Sequence, residues 1–187
     1  MRLSTISYYA DFFLAAGFIL FLAASMAPGL SAIGAAQAAG CVAAGFALWT
    51  ALEYFVHRVL YHHVPFFREL HDAHHQEPRG FIGAPPVIGF ALILAITYLP
   101  VVMVHEIAAQ GMTIGMLAGY MGYMLLHHSA HHWNPRKGSW LWRARRHHAL
   151  HHHLGLEGNY GIVTSFWDHV FGTALQPGRQ RPSPERA

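Results

Sequence analysis

The segment 145–173, RRHHALHHHLGLEGNYGIVTSFWDHVFGT, is the most informative part of the sequence because five of its first nine residues are histidine. A neutral imidazole is a common metal ligand in proteins. His148, His151 and His152 follow the pattern H-x-x-H-H, and on a helix this spacing places the first residue on the same face as the other two. We therefore predict that one face of a helix offers several nitrogen atoms to metal.

Three further motifs with similar spacing lie upstream of this segment. They are His57 and His62 (H-x4-H), His71, His74 and His75 (H-x2-H-H), and His127, His131 and His132 (H-x3-H-H). A single histidine-rich run is also typical of a polar surface or a purification tag. Four motifs argue against that interpretation, and their eleven imidazoles predict two metal ions.

The composition restricts which metals the motifs can bind. There are 17 histidines but only 9 acidic residues, so oxygen ligands are scarce. Nitrogen ligands suit iron, copper or zinc and argue against magnesium and calcium. The single cysteine, Cys41, excludes an internal disulfide and a cysteine-rich zinc or iron–sulfur site.

The chain also has the composition of a membrane protein. Hydrophobic residues make up 53% and charged residues 11% of the sequence, whereas an ordinary soluble domain carries about 25% charge. Four apolar segments, 9–29, 32–60, 87–107 and 112–126, are predicted to span the bilayer. A cleaved signal peptide is the competing interpretation of the first segment, although its positive end consists only of Arg2.

The remaining segments complete the predicted architecture. Residues 65–86 are expected to form a short amphipathic helix and a loop, and Pro100 is expected to kink or shorten the third span. The connection 108–111 predicts a helical hairpin, and 134–138 a turn. We predict one membrane-embedded domain over residues 1–176 and a disordered tail over 177–187.

The positions of the twelve Lys and Arg residues predict the orientation of this domain. None of them falls in the connections 28–31 and 108–111, so the positive-inside rule places the other connections in the cytoplasm. Both termini and all four histidine motifs are then cytoplasmic, and only His105 is on the opposite side. The predicted fold is all-α, with about four transmembrane helices and a histidine-rich helical cap that holds a dimetal centre. No basic stripe with stacking aromatics indicates nucleic-acid binding.

Four sequence blocks resemble those of a known enzyme superfamily. The blocks are EYFVHRVLYH at 53–62, HDAHHQEP at 71–78 with Pro85-Pro86 after it, YMLLHHSAHH at 123–132, and HHALHH at 147–152 followed by FWDHVFGT at 166–173. They resemble the fatty acid hydroxylase and sterol desaturase superfamily, and most of all its fatty acid 2-hydroxylase branch. The resemblance covers about residues 53 to 173.

The resemblance implies a multi-pass membrane oxygenase, expected in a bacterial inner membrane, that inserts one oxygen atom from O2 into a C–H bond of a lipid or fatty acyl chain. Its cofactors would be two non-haem iron ions, with zinc as a substitute in purified protein. The implied metal ligands are His57, His62, His71, His74, His75, His127, His131, His132, His148, His151 and His152. Met124 stands where an acidic residue is expected beside Tyr123, which leaves the substrate open. Without a fused haem domain, electrons are expected from a separate ferredoxin, flavoprotein or cytochrome.

Two carboxylates near the motifs have alternative roles. Glu53 either tunes a ligand or pairs with Arg58, and the pairing is favoured because charges inside membranes are usually paired. Asp168 either orients a ligand imidazole or caps a helix, with both roles open. The remaining histidines near the motifs are expected outside the ligand set, although His128 and His132 have the same i,i+4 spacing as His127 and His131. These remaining residues are His63, His128, His147, His153 and His169.

Two other functions compete with fatty acyl hydroxylation. A carotenoid hydroxylase or a sterol hydroxylase or desaturase shares related histidine motifs within the same superfamily. A histidine-rich membrane metal transporter is the non-enzyme alternative. Transport predicts ionisable residues along a path across the membrane, whereas here the spans are nearly free of charge.

Overall fold

The described residues of the chain are almost entirely helical. The computed structural model describes residues 1–28, 30–153 and 157–175, and within them the only extended pairing is an isolated antiparallel bridge between Arg2 and Ile82. The predicted all-α class is therefore confirmed for this part of the chain. The predicted disordered tail, 177–187, lies outside the described residues.

The chain divides into two compact units. Unit 1 consists of Met1–Thr50 and Phe81–Gly122, and unit 2 consists of Ala51–Gly80 and the chain from Tyr123 onward. All 17 histidines except His105 belong to unit 2. Unit 1 is therefore an apolar helical unit, and unit 2 carries the four histidine motifs.

Two helices are long and apolar enough to cross a membrane. The first is α1, Thr5–Met26. Ser4 caps its amino end, because the Ser4 Oγ accepts a hydrogen bond from the Ser7 amide at 3.1 Å. The second is Ala32–Tyr61, made of α2, Ala32–Phe55, and a π-helical continuation, Val56–Tyr61. Large apolar side chains such as Ile6 and Phe13 are exposed on α1. Apolar residues all around a helix are typical of membrane spans.

The third predicted span is shorter than expected and irregular. It consists of α4, Pro86–Ile93, a π-helical segment, Leu94–Tyr98, and α5, Leu99–Val102. Pro100 has no amide proton, and its ring crowds the carbonyl four residues earlier, within the π-helical segment. The expected irregularity at Pro100 is therefore confirmed.

The fourth predicted span lies within a longer helix, α6, Glu106–His132. The predicted connection at 108–111 is wrong, because these residues are helical and the turn lies at 103–105. Glu106 stabilises the earlier start as an acidic residue in the first turn. Gln110 Nε2 also donates a hydrogen bond to Glu106 Oε1 at 3.1 Å, one turn apart.

Small residues allow α2 and α6 to pack closely within unit 1. A Cβ atom placed on Gly115 of α6 would overlap the carbonyl of Val42 on α2, and one on Gly45 of α2 would overlap Met112. These contacts bring the two backbones together as the Ala- and Gly-rich sequence of α2 predicts.

Unit 2 adds three helices outside the apolar segments. The predicted amphipathic helix is α3, Pro65–Gln76, with proline at its first position, where no amide donor is needed. A turn at Lys137 and Gly138 lies inside the predicted 134–138 and leads into α7, Trp140–His153. The short helix α8, Phe166–Val170, follows the loop 157–165.

Candidate metal centre

All eleven predicted ligand histidines belong to unit 2, and ten of them lie in or beside two clusters. Cluster A consists of five of them, and cluster B of four, and within each cluster one ring nitrogen from every residue lies within 4.8 Å of the others. Cluster A is His74, His127, His131, His148 and His152. Cluster B is His57, His62, His71 and His151.

His75 is the tenth residue and joins the two clusters. Its Nε2 lies 3.0 Å from Nε2 of His71 and 3.1 Å from Nε2 of His151, both in cluster B. Its ring also stacks on the His152 ring of cluster A, with the centroids 4.1 Å apart. By these distances, Nε2 of His75 lies with the nitrogens of cluster B.

Cluster B depends on the π-helical segment at the end of the second apolar helix. In an α-helix, residues five apart point in directions about 140° apart, because each residue advances about 100°. A π-helix closes its hydrogen bonds between residues five apart and so widens the turn. The segment Val56–Tyr61 therefore brings His57 and His62 toward each other, with ring centroids 5.5 Å apart.

Backbone carbonyls fix the tautomers of two cluster B rings. His57 Nδ1 lies 2.6 Å from the Tyr160 carbonyl oxygen, and His151 Nδ1 lies 2.9 Å from that of Gly158. Because a carbonyl oxygen only accepts, each Nδ1 carries the proton, and each Nε2 presents a lone pair in the neutral ring. The two Nε2 atoms lie 3.0 Å apart. No proton is available between these lone pairs, so a bound cation is the group that suits them.

Distances in cluster A also fit ligands of a common ion. Nε2 of His127 lies 2.9 Å from that of His74 and 3.2 Å from that of His131, which is 3.0 Å from that of His148. Two nitrogens that are each about 2.1 Å from one ion, at a right angle, are about 3.0 Å apart. The all-nitrogen donor set suits iron or zinc.

Several buried ring nitrogens in the clusters have no hydrogen-bond partner among the residues that the structure describes. They are Nε2 of His62, Nδ1 of His148 and both ring nitrogens of His152. Buried polar atoms are nearly always paired, so unpaired ones indicate a missing ligand or ion. The residues of both clusters thus fit metal ions.

The clustered rings of His62, His74 and His151 are neutral at pH 7 in the absence of metal. Burial lowers the pKa of His74 to about 4, and the neighbouring His75 lowers it further. Burial likewise lowers the pKa of His62 to about 4, with a further contribution from His75. For His151, burial outweighs the hydrogen bond to Gly158 and lowers the pKa to about 3. Because a metal binds neutral imidazole, these rings need no deprotonation at pH 7.

The loop 158–163 carries the carbonyls that orient His57 and His151. Two buried carboxylates bind its amides: Asp168 accepts from Tyr160 and Gly161 at 2.9 Å each, and Glu53 accepts from Ile162 and Val163. Asp168 also accepts from Thr173 Oγ1 at 2.8 Å, and His147 Nε2 lies 3.2 Å from its Oδ2. Burial would raise the pKa of Asp168, but these hydrogen bonds outweigh it and lower the pKa.

These contacts change the predicted roles of both carboxylates. The expected pairing of Glu53 with Arg58 is wrong, because Glu53 binds backbone amides and Arg58 donates to Tyr54 Oη at 3.0 Å. Asp168 does not contact a predicted ligand ring and does not cap α8 with its side chain. Its hydrogen bonds hold the backbone whose carbonyl contacts His57.

One predicted ligand, His132, lies away from both clusters, as does His105, which was not predicted to be a ligand. His132 is exposed, and its ring stacks on His128 with centroids 4.4 Å apart, while its helix neighbour His131 enters cluster A. His105 belongs to unit 1 and is exposed. The structure therefore separates His131 from His132, although their sequence motif does not.

Sequence reasoning missed the loop residues that organise cluster B. Gly158 and Tyr160 orient His57 and His151 through backbone carbonyls, which motif analysis does not detect. Asn159 was an available signal, since it adopts φ 55°, a conformation that favours asparagine and glycine. Its side chain donates to the His147 carbonyl at 2.9 Å and accepts from the Leu175 amide at 2.7 Å.

The fold and the site together define a helical protein with long apolar helices and two adjacent all-histidine clusters that could each hold a metal ion. Residues 42–173 match the sequence profile of the family described as fatty acid hydroxylase. The chain belongs to the fatty acid hydroxylase family.

Comparison with individual proteins agrees with this family. The chain is 33% identical over 143 residues to human fatty acid 2-hydroxylase, a match that covers 69% of this chain and 38% of the human protein. It is 31% identical to the dihydroceramide fatty acyl 2-hydroxylase FAH2 of Arabidopsis thaliana, over 71% of this chain and 59% of that protein. The chain thus spans about two fifths of its mammalian relatives.

A solved structure shares the fold. It is described as full-length scs7p with only the hydroxylase domain visible, and it superposes with a TM-score of 0.78 at 22% identity. The superposition covers 95% of this chain and 70% of the other. At this identity, the comparison concerns the fold alone.

Proposed function

We propose that this protein is a membrane-bound oxygenase that hydroxylates a fatty acyl chain of a lipid at a histidine-ligated di-iron centre. The observation that carries the proposal is the two clusters of histidine nitrogens, together with the Nε2 lone pairs of His57 and His151 that face each other within cluster B. The matching family and the 2-hydroxylase relatives support the reaction class and the lipid substrate.

The proposed ligands are the eleven histidines of the four motifs. Clusters A and B, with His75, support ten of them by geometry. His132 is the proposed ligand that geometry supports least, because its ring is exposed and stacks on His128. Bound iron would supply the activation of O2 in such a site. The chain itself contributes neutral, oriented nitrogen donors within a largely buried environment.

The proposed membrane arrangement follows from the apolar helices. Two helices satisfy the length and hydropathy of a span, and Val87–Val102 and the apolar part of α6 are proposed as two more. The distribution of Lys and Arg favours cytoplasmic histidine motifs and termini, in a bacterial inner membrane. An acyl chain in the bilayer is then the substrate class that suits this enzyme.

Labelled dioxygen tests the proposed reaction. Cells that express the protein are supplied with 18O2, and their lipids are analysed by mass spectrometry. One labelled oxygen atom per modified acyl chain is expected, and His148→Ala should abolish it whereas His105→Ala should not. A new double bond without label would indicate desaturation, and label in carotenoids or sterols would assign the enzyme to another branch of the superfamily.

The electron supply gives a second test. Hydroxylation with O2 requires electrons, and we propose a ferredoxin, flavoprotein or cytochrome as a separate donor. Purified, iron-loaded protein should therefore turn over lipid only with O2 and an added reductant. Turnover in the absence of both metal and reductant would contradict the proposed chemistry.

A further inference from the structure

The two clusters differ in how firmly their rings are held before metal binds. In cluster B, the Nδ1 atoms of His57 and His151 are hydrogen-bonded to the carbonyls of Tyr160 and Gly158. Among the described residues, no ring of cluster A has such a carbonyl partner. Three buried ring nitrogens of cluster A, Nδ1 of His148 and both nitrogens of His152, have no hydrogen-bond partner there, against one in cluster B, Nε2 of His62. Both clusters consist of imidazole rings, but only in cluster B do backbone carbonyls orient two of these rings.

The carbonyls in cluster B are themselves held in place. The loop that carries them is fixed by hydrogen bonds from four consecutive amides, at 160 to 163, to the carboxylates of Asp168 and Glu53. Both carboxylates are buried, at 0% and 5% exposure. Despite burial, these hydrogen bonds lower the pKa of Asp168, which is therefore a charged acceptor, and hydrogen bonds to a charged acceptor are stronger than those between neutral groups. Burial protects the hydrogen bonds of both side chains from competing water.

The start of the loop and Asp168 also form hydrogen bonds with Thr173, which follows α8. The Asn159 amide donates to the Thr173 carbonyl at 3.0 Å, and Thr173 Oγ1 donates to Asp168 at 2.8 Å. Tyr54 Oη shares a hydrogen bond with the same Thr173 hydroxyl at 3.0 Å. The carbonyl positions are thus determined by contacts that involve no ligand histidine.

We propose that the loop 158–163, held by Asp168 and Glu53, is a scaffold that orients His57 and His151, so that cluster B binds metal more tightly than cluster A. This inference rests on the proposed metal centre. A donor fixed in advance loses less freedom on binding, and a carbonyl on Nδ1 makes Nε2 a better ligand. Asp168 and Glu53 are positioning residues that act through the backbone.

Metal titration of the whole chain, residues 1–187, tests the proposal without reference to catalysis. The protein in detergent is stripped of metal by a chelator and titrated with Zn²⁺ by calorimetry. Two binding steps of unequal affinity are expected. The double variant His131→Ala/His148→Ala, which removes two nitrogens of cluster A, should lose the weaker step and keep the tighter one.

The positioning role is tested in that background, where cluster B alone binds. Asp168→Asn replaces one acceptor oxygen by an NH2 group and should weaken Zn²⁺ binding by about 10–100-fold. Glu53→Gln should weaken it in the same direction. Glu69→Gln, the same chemical change at an exposed position of α3, is the matched control and should leave the affinity unchanged.

A complementary background separates orientation from general unfolding. In His57→Ala/His151→Ala, cluster A remains, and Asp168→Asn should not change its Zn²⁺ affinity. The absorption of bound Co²⁺ should likewise change only at cluster B. Equal weakening of both clusters by Asp168→Asn, or equal affinities in the native chain, would overturn this inference alone. No Zn²⁺ binding by the native chain would overturn the metal centre itself.

Discussion

Mild acid is expected to unfold the metal-free histidine clusters. Burial, followed by neighbouring imidazoles, lowers the pKa of the buried histidines His71, His74 and His148. Burial also lowers that of His151, despite a hydrogen bond to Gly158. In the unfolded chain the same rings recover a pKa of about 6.5. Since the folded pKa is the lower one, their stabilisation is present above about pH 6.5 and is lost as the pH falls.

The four rings of His71, His74, His148 and His151 give the size of this effect. At about pH 5.5, one unit below the unfolded pKa, protonation favours the unfolded chain by about 1.4 kcal/mol for each ring that stays neutral when folded. Four such rings give about 6 kcal/mol, which is comparable to the whole stability of a typical domain, about 5–15 kcal/mol. Most of the transition is therefore expected between about pH 6.5 and 5.5.

Tryptophan fluorescence can follow this transition, since four of the 5 tryptophans lie in unit 2. These are Trp133, Trp140, Trp142 and Trp167. The chelated protein should change its emission in this range, and the metal-loaded protein only at lower pH, because a bound nitrogen cannot accept a proton. Emission of the chelated protein that stays constant from about pH 7 to 5 would refute the reasoning, as would metal retained down to about pH 4.

Three other outcomes are expected from substitutions. His148→Ala should lose much of its bound metal and all activity, whereas His105→Ala, in the other unit, should keep both; the opposite result would refute the ligand assignment and the topology together. His132→Ala should lose metal if His132 is a ligand, and metal content equal to that of the native chain would remove it from the proposed set. Gly115→Leu should destabilise the chain by about 1–3 kcal/mol or more, because a Cβ there overlaps the backbone of α2. Thermal unfolding in detergent checks this, with Gly17→Leu as the control, since a Cβ at Gly17 meets nothing within 4 Å.

Local sequence determined the helical class, the apolar segments and the donors of the metal centre. Side-chain type limits the metals that a site can bind, and the spacing of His148, His151 and His152 follows the period of a helix. These are properties of neighbouring residues, so they are visible without a fold. The helix boundary at Glu106 was missed because a glycine near a helix end looks like a turn until its packing partner is known.

Only the tertiary structure decided how the motifs divide between two clusters. His71 and His74 lie one turn apart on α3, yet they enter clusters B and A respectively. The π-helical segment that brings His57 toward His62, the exclusion of His132, and the carbonyls of Gly158 and Tyr160 were equally absent from the motifs. Each depends on contacts between residues far apart in the chain. Sequence spacing determines which side chains share a helix face, whereas packing determines what that face meets.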